Sequence, residues 1–410
     1  MKKTIAIIGG GASALALAAM LDESLFDITI YERQATLGRK FLVAGDGGFN
    51  LTHGEDLETF LKRYTVPSSS NLSHQNIENS LRNFTNSDTR NWLKSMGIET
   101  FIGSSNRVFP TKGIKPIEVL NAILSFLKNN HIKLKTKCFW QGWNVQNELI
   151  ILQNGIKITI KADIIVFSLG GASWRKTGSD GEWAPYFEEK GISIVPFQAS
   201  NCAYQIGWSD TFLAQAEGKS LKNIALKCVD KVKKGEVVVT KFGLEGGAIY
   251  ALSPAIREQL NEHQKATIYL DLKPVLSVDD IIHKLTEKNN KPLTTLLKEQ
   301  LHLPDVAVAL LKNQLTKDEF VHFPTLATLI KNIPLSITAA APIDEAISTV
   351  GGIPFSEVDE HFQLKKLPNH YAIGEMLDWD APTGGYLLQA CFSMGAYLAK
   401  WLNSSQINPF

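Results

Sequence analysis

TIAIIGGGASALALAAML, residues 4–21, decides the fold. Thr4–Ile8 is a short apolar run of the kind a parallel strand needs when both of its faces are buried. Gly9-Gly10-Gly11-Ala12-Ser13-Ala14 fits G-x-G-x-x-(G/A), and Ala12–Leu21 is an Ala/Leu-rich helix. A second strand at 27–31 (DITIY) ends at Glu32, which completes a βαβ unit. In such a unit Gly9 permits the tight turn and Gly11 lets backbone approach a pyrophosphate. Ala14 is small enough for helix and strand to pack closely, and the free N–H groups of the helix start face the phosphates. Glu32 lies 21 residues beyond Gly11, the place of a carboxylate that accepts hydrogen bonds from a ribose diol.

Outward from this unit, 55–64 reads as helix and 65–75 as loop, with further helices at 76–96 and 116–130. Strands occupy 132–167, the last of them Asp163–Ser168. The character changes near 195. A β-rich insert with a helical lobe at 277–332 is expected over 195–350, so that 1–194 and 351–410 form two parts of one cofactor domain. A β segment at 371–373 precedes a final helix at about 385–403.

With 410 residues, 44% hydrophobic and 20% charged, the chain has ample material for two or three globular domains. Lys and Arg total 42 against 41 Asp and Glu, a net charge of +1. That balance offers no basic footprint, so a small-molecule substrate is expected and a nucleic-acid partner is not. Met1-Lys2-Lys3 before an apolar stretch imitates a secretory leader, but the glycines interrupt the run. No stretch offers the roughly 18 uninterrupted apolar residues of a membrane span, and a cytoplasmic protein is expected. The four cysteines, at 138, 202, 228 and 391, form no C-x-x-C pair, and the nine histidines no H-x-x-x-H pair. No metal centre is expected, and a disulfide reductase is argued against. The sequence leaves the oligomeric state open.

Only one dinucleotide fingerprint is present, yet three more glycine clusters follow: Gly38–Thr52, Leu169–Gly181 and Gly374–Leu388. Several backbone approaches spread along the chain suit a long tethered cofactor, and FAD is the usual such ligand. NAD(P)H is a candidate electron donor.

Gly38-Arg39-Lys40-Phe41-Leu42-Val43-Ala44-Gly45-Asp46-Gly47-Gly48-Phe49-Asn50-Leu51-Thr52-His53 resembles the signature of a bacterial family of NAD(P)/FAD-dependent oxidoreductases that includes aminoacetone oxidase. The resemblance continues at Gly170–Trp174 with Thr177–Gly181, and closes at Gly374–Asp378 and Ala381–Gln389. This sequence departs from common members in having Gly48-Phe49 for Arg-Cys, Ala14 for Gly, and Ser173-Trp174-Arg175 for Ser-Tyr-Pro. The resemblance implies an α/β fold: a glutathione-reductase-like Rossmann FAD domain with an inserted β-barrel-like domain and helical lobe.

The cofactor-binding residues expected at the fingerprint are Gly9, Gly11, Ala12, Ser13, Ala14, Glu32 and Arg33. Arg39 and Lys40 are candidates for neutralising the pyrophosphate or touching the adenosine ribose, and Asn50, Leu51 and Thr52 for the flavin or ribityl chain. Ser168 and Gly170 end a strand whose backbone can close over the adenine half, and Trp174 is a candidate for stacking. The family fold places Phe139 for main-chain contact with adenine, and Gly374, Glu375 and Asp378 near the ribityl hydroxyls. Gly384, Gly385, Tyr386 and Leu387 start the last helix, whose dipole would meet the flavin pyrimidine. No catalytic acid or base stands out; His53, Tyr204, Lys241, Glu245 and Tyr386 are candidates. The reading is an FAD-dependent oxidoreductase that exchanges electrons between a small organic substrate and O₂ or NAD(P)H. Other readings are a flavin-binding sensor without turnover and a flavoprotein that acts on RNA.

Overall fold

The computed structural model describes residues 1–43, 49–67, 71–287 and 291–407; 44–48, and with them the Gly45-Asp46-Gly47-Gly48 part of the second glycine cluster, lie outside the described residues. The chain forms two compact units, Met1–Gln198 together with Ser348–Phe410, and Ala199–Ile347.

The first unit is built on a five-stranded sheet in the order His370–Ala372, Ile164–Phe167, Lys3–Ile8, Phe26–Tyr31, Lys133–Lys135. All four pairings are parallel. Ile5–Ile8 and Ile164–Phe167 are buried throughout, which is why they read as continuous apolar runs without alternation. The first strand in sequence lies at the centre, with later strands added on either side of it. The order therefore reverses there, and beyond the carboxyl ends of Lys3–Ile8 and Ile164–Phe167 is the place where open α/β sheets take their ligands.

Helix Ala12–Met20 follows the turn, and Ser13 to Ala18 are all buried. Its other face meets the 22-residue C-terminal helix Tyr386–Ile407. The contact is close: a Cβ at Gly395 would sit 2.4 Å from the Ser13 carbonyl oxygen. Burying Leu15 and Leu17 contributes about 1.5–3 kcal/mol each.

Two features differ from the sequence expectation. The single helix expected over 76–96 is two, Asn71–Asn83 and Asn86–Ser95. Thr85 breaks the run by capping the second helix: its hydroxyl accepts from the Asp88 N–H while the Asp88 carboxylate accepts from the Thr85 N–H. A small antiparallel sheet of Thr52–His53, Arg107–Pro110 and Thr100–Ile102 was also unforeseen. A second antiparallel sheet, Cys138–Trp143, Leu149–Gln153 and Ile156–Ile160, fills part of the β-rich stretch before Ile164–Phe167.

The second unit is a closed six-stranded barrel, Tyr204–Ile206, Gly243–Glu245, Lys231–Val239, Ser220–Cys228, Ala266–Asp271 and Ile333–Ala340, with every pairing antiparallel. Gly243 allows the closure at the shortest strands, since a Cβ there would lie 2.0 Å from the Tyr204 carbonyl oxygen. Among the described residues, five helices between Val278 and Lys331 add the helical lobe. Among the described residues, no helix is long and apolar enough to cross a membrane.

Candidate active site

The turn after the first strand lies at the sheet's switch point. Gly9 takes φ +97°, and a Cβ there would lie 2.3 Å from the Ser168 carbonyl oxygen, so this glycine lets the ends of two central strands meet. Gly11 is different. Its φ is −79°, and a Cβ would meet nothing closer than 4.0 Å, so the molecule keeps space beside it that its own packing does not need. Glu32 closes the turn from the next strand, its two carboxylate oxygens accepting from the Gly10 N–H at 2.7 Å and the Gln34 N–H at 2.7 Å. The Cys138 N–H donates to the Glu32 carbonyl at 2.9 Å, which sets the Cys138–Trp143 strand with Phe139 beside the acid.

The basic residues expected to bind the cofactor are held by the protein. Arg33 pairs with Asp180 at 2.7 Å and donates to the Gly178 carbonyl at 2.6 Å. Arg39 donates to Gln34 and to the Lys176 carbonyl, both at 3.0 Å. The Lys40 ammonium donates to Glu375 at 2.8 Å and to the Ser173 hydroxyl at 2.9 Å. Lys40 and Glu375 thus form a neutral pair, although they stand 335 residues apart in the chain.

Around them, Ser168 and Ser13 share a hydrogen bond at 2.6 Å in the buried seam behind the turn. Gly170 adopts φ +75° and accepts from the Trp183 indole at 3.0 Å. Trp174 sits in the left-handed region at φ +62°, and its indole nitrogen is buried without a hydrogen-bond partner. Gly374, at φ +84°, passes so close to Ser13 that a Cβ would lie 2.4 Å from the hydroxyl oxygen. Asp378 is fully buried and accepts from the Gly351 N–H at 2.9 Å.

The start of the last helix is held against the Thr52–His53 strand. A Cβ at Gly385, where φ is +99°, would lie 2.5 Å from the Thr52 Cα. Leu51 donates to the Val108 carbonyl at 2.8 Å, while the Thr52 hydroxyl oxygen is buried with no hydrogen-bond partner. Asn50 is half-buried just ahead of them, and Leu387 packs partly buried on the core. The open space at Gly11, the orphaned Thr52 hydroxyl and the two helix starts fit an extended dinucleotide with polar groups along its length.

A polar cluster adjoins this strand and helix start. The Tyr386 hydroxyl donates to Glu55 Oε1 at 2.7 Å. Arg63 grips the same carboxylate from the other side, Nη2 to Oε2 at 2.7 Å and Nε to Oε1 at 3.0 Å. His53 stacks on the Tyr386 ring, centroids 5.0 Å apart and planes at 23°. The Glu55 N–H donates to His53 Nδ1 at 3.4 Å, so the neutral imidazole carries its proton on Nε2. Burial holds the His53 pKa below the usual histidine range, against the pull of Glu55. Burial alone would raise the Glu55 carboxyl, but hydrogen bonds from Arg63 and Tyr386 outweigh it and hold the carboxyl below its usual range. Burial first, then the Glu55 hydrogen bond and charge, push the Tyr386 phenol well up, so it stays protonated.

Of the five catalytic candidates, the structure brings His53 and Tyr386 together. Tyr204, Lys241 and Glu245 belong to the second unit, where Tyr204 is buried, Lys241 exposed and Glu245 half-buried. Sequence reasoning missed Glu55 and Arg63. It also missed Arg107, whose strand pairs residue for residue with His53 and whose Nε would lie 3.7 Å from a Cβ at Gly384.

The HI0933-like protein Rossmann domain family matches residues 3–401. Over 420 residues the chain is 23% identical to a 3-dehydro-bile acid delta(4,6)-reductase of Clostridium scindens, covering 96% of this chain and 97% of the relative. It is likewise 23% identical to a ribosomal RNA dihydrouridine synthase of Haemophilus influenzae, covering 94% and 95%. Among solved structures, the 3-ketosteroid-delta4-(5alpha)-dehydrogenase of Rhodococcus jostii shares the fold, with a TM-score of 0.52, 11% identity and coverage of 99% and 97%.

Proposed function

The chain belongs to the HI0933-like Rossmann family and is an FAD-dependent oxidoreductase, and on that premise we propose that it reduces a carbon–carbon double bond conjugated to a ring carbonyl, with NAD(P)H as electron donor. The observation that carries this reading is the chemistry shared by the names of two relatives that match over 96% and 94% of the chain. A delta(4,6)-reductase of a 3-dehydro acid and a synthase of dihydrouridine each saturate a bond in conjugation with a carbonyl. Such a bond accepts hydride at its β-carbon and a proton at its α-carbon.

Bound FAD supplies the two-electron exchange. The protein's part is to hold and to protonate. In this reading the Ala12–Met20 helix start and the space at Gly11 take the diphosphate, and Glu32, with lone pairs still open, takes the adenosine ribose. The Lys40–Glu375 pair lines the path without adding net charge, while Arg39, held by a side-chain amide and a carbonyl, brings a positive charge to it. Thr52, Asp378 and the Gly384–Leu387 helix start serve the ribityl and flavin end, and the helix dipole there favours a negatively charged reduced ring. The His53–Glu55–Arg63–Tyr386 cluster provides the substrate-side chemistry.

The neutral net charge still favours a small ring substrate, but the ribosomal RNA relative makes a nucleotide substrate a required arm of the test. The purified oxidised protein is mixed anaerobically with NADH or NADPH, then with a steroidal conjugated ketone, a ribosomal RNA fragment, or aminoacetone. Flavin bleaching by a nicotinamide and recolouring by a conjugated carbonyl support the reading. Bleaching by the amine alone, with recolouring by O₂ alone, makes the protein an oxidase and overturns it.

A further inference from the structure

We propose that Tyr386 is the group that protonates the α-carbon of the substrate, and that Glu55, clamped by Arg63, is the residue that positions it. The proposal rests on the reduction reading above and names the proton source for it.

The geometry is specific. Tyr386 opens the last helix and follows the two glycines whose left-handed backbone presses that helix start onto Thr52. Its backbone is anchored by the Tyr64 hydroxyl, which donates to the Tyr386 carbonyl at 2.8 Å. The ring is fixed on one face by His53 at 5.0 Å and packed by Phe60 at 4.9 Å. The hydroxyl is fixed by Glu55 at 2.7 Å. Glu55 in turn has little freedom: Arg63 holds both of its oxygens, and the Asn86 amide donates to the carbonyls of His53 and Glu55 at 2.7 and 3.0 Å. Tyr386 is buried, and its hydroxyl is met by a carboxylate that is itself clamped rather than by a lone backbone carbonyl. The charged and titratable groups around the phenol are Glu55, Arg63, His53 and Tyr64, with Arg107 acting on His53, so the phenol's protonation answers to one carboxylate and one guanidinium.

The step balances as follows. NAD(P)H supplies hydride equivalents that end on the β-carbon. The Tyr386 O–H bond breaks as a C–H bond forms at the α-carbon, and the phenolate then regains a proton from water. The net change is substrate plus NAD(P)H plus H⁺ to saturated product plus NAD(P)⁺. Arg63, whose guanidinium carbon lies 6.0 Å from the ring centre, offsets the transient negative charge that Glu55 disfavours.

The test uses the full-length protein with Tyr386→Phe, Glu55→Gln and Arg63→Lys. Tyr386→Phe is expected to lower kcat about 10²–10³-fold with KM and flavin content near wild type, the size of one lost general acid. A readout independent of turnover is ¹³Cζ-tyrosine NMR, in which the resonance missing from Tyr386→Phe identifies Tyr386 among nine tyrosines. Glu55→Gln is expected to bring ionisation of that phenol down by about one pH unit or more, since a carboxylate at hydrogen-bond distance is removed. The basic limb of its kcat profile moves by the same amount. Arg63→Lys keeps the charge and restores most of the activity that a neutral substitution loses. Full activity in Tyr386→Phe, or an unmoved Tyr386 titration in Glu55→Gln, overturns the proposal. If no conjugated carbonyl is reduced by wild type, the reduction reading fails while the titration still reports whether Glu55 governs Tyr386.

Discussion

Two glycines of one turn should fail in opposite ways when alanine replaces them. At Gly9 the backbone sits at φ +97°, where an L side chain costs about 1–2 kcal/mol. The new Cβ would also lie 2.3 Å from a carbonyl oxygen, which cannot swing away as a side chain can. Relief requires parting the ends of two central strands, joined there by the Ser168 N–H on the Ile8 carbonyl, and shifting Gly9 itself, whose N–H donates to the Tyr31 carbonyl of the strand on the other side, both bonds being 2.8 Å. Each of those bonds contributes about 1 kcal/mol. Gly9→Ala should therefore cost about 3–5 kcal/mol and lower the Tm of the flavin-free protein by about 6–20 °C. At Gly11 the backbone already has a φ of −79°, and the nearest atom to a new Cβ is 4.0 Å away. Alanine gains a few tenths of a kcal/mol from a stiffer unfolded chain and loses a similar amount as a poorer helix N-cap. Gly11→Ala should leave the flavin-free Tm within about 2 °C of wild type. It should nevertheless purify with little FAD, because the methyl group occupies the space offered to the diphosphate. Thermal unfolding of deflavinated protein and flavin absorbance of the protein as purified measure the two effects separately. A Gly11→Ala protein with full flavin content, or one as unstable as Gly9→Ala, would refute the assignment of that space to the cofactor.

Lys40→Met leaves the Glu375 carboxylate without its counter-ion where its side chain is only 14% exposed. The half-open Lys40 reduces the cost to about 1–3 kcal/mol, read as a lower urea midpoint, together with weaker flavin retention. Gln389→Leu removes a fully buried amide that donates to the Phe84 carbonyl and Ser393 and accepts from Thr89 at 2.8 Å, and chemical denaturation should show a loss of about 1–3 kcal/mol. His370 is pushed below the usual histidine range by burial, and its ring is already satisfied as a neutral tautomer by the Pro368 carbonyl and the Trp143 indole. The unfolded chain, with a histidine pKa of about 6.5, then binds more protons than the folded one, so stability falls as pH drops below that value. A His370→Gln variant should show a shallower fall of Tm between about pH 6.5 and 5, with His53 and His361, also lowered by burial, supplying the rest.

The parts of the fold that were legible are those whose signal lies within one element and its neighbours. Ile5–Ile8 and Ile164–Phe167 are buried on both faces, so composition alone marks them as central strands. The break at Thr85 had a readable sign as well, since Thr85-Asn86-Ser87-Asp88 is a capping box in plain sequence. It escaped because apolar spacing continues across it from one helix to the next. The Thr52–His53 and Thr100–Ile102 strands, which flank Arg107–Pro110, had no sign to read, because two or three residues cannot display an alternation.

The same distinction separates the cofactor from the acid. A dinucleotide is held largely by backbone, and backbone needs appear in sequence as glycines: the clusters around Gly9, Gly170, Gly374 and Gly384 all adopt left-handed or tightly approached conformations that a Cβ would spoil. Proton chemistry depends on side chains that meet only after folding. Glu55 and Arg63 stand eight residues apart with nothing in the spacing to pair them, and Glu55 reaches Tyr386 across 331 residues. His53 and Tyr386 could be named one by one, as a histidine in a glycine-rich motif and a tyrosine at a helix start. Their stacking, and the carboxylate that orients the phenol, follow only from Gly385 pressing the last helix against Thr52. Gly385 thus connects the two problems, since the residue proposed to mark the flavin end of the cradle also brings the proposed acid to it. Gly385→Ala should therefore depress flavin retention and the Tyr386-dependent part of kcat together, whereas a glycine that served the cofactor alone would affect only the first.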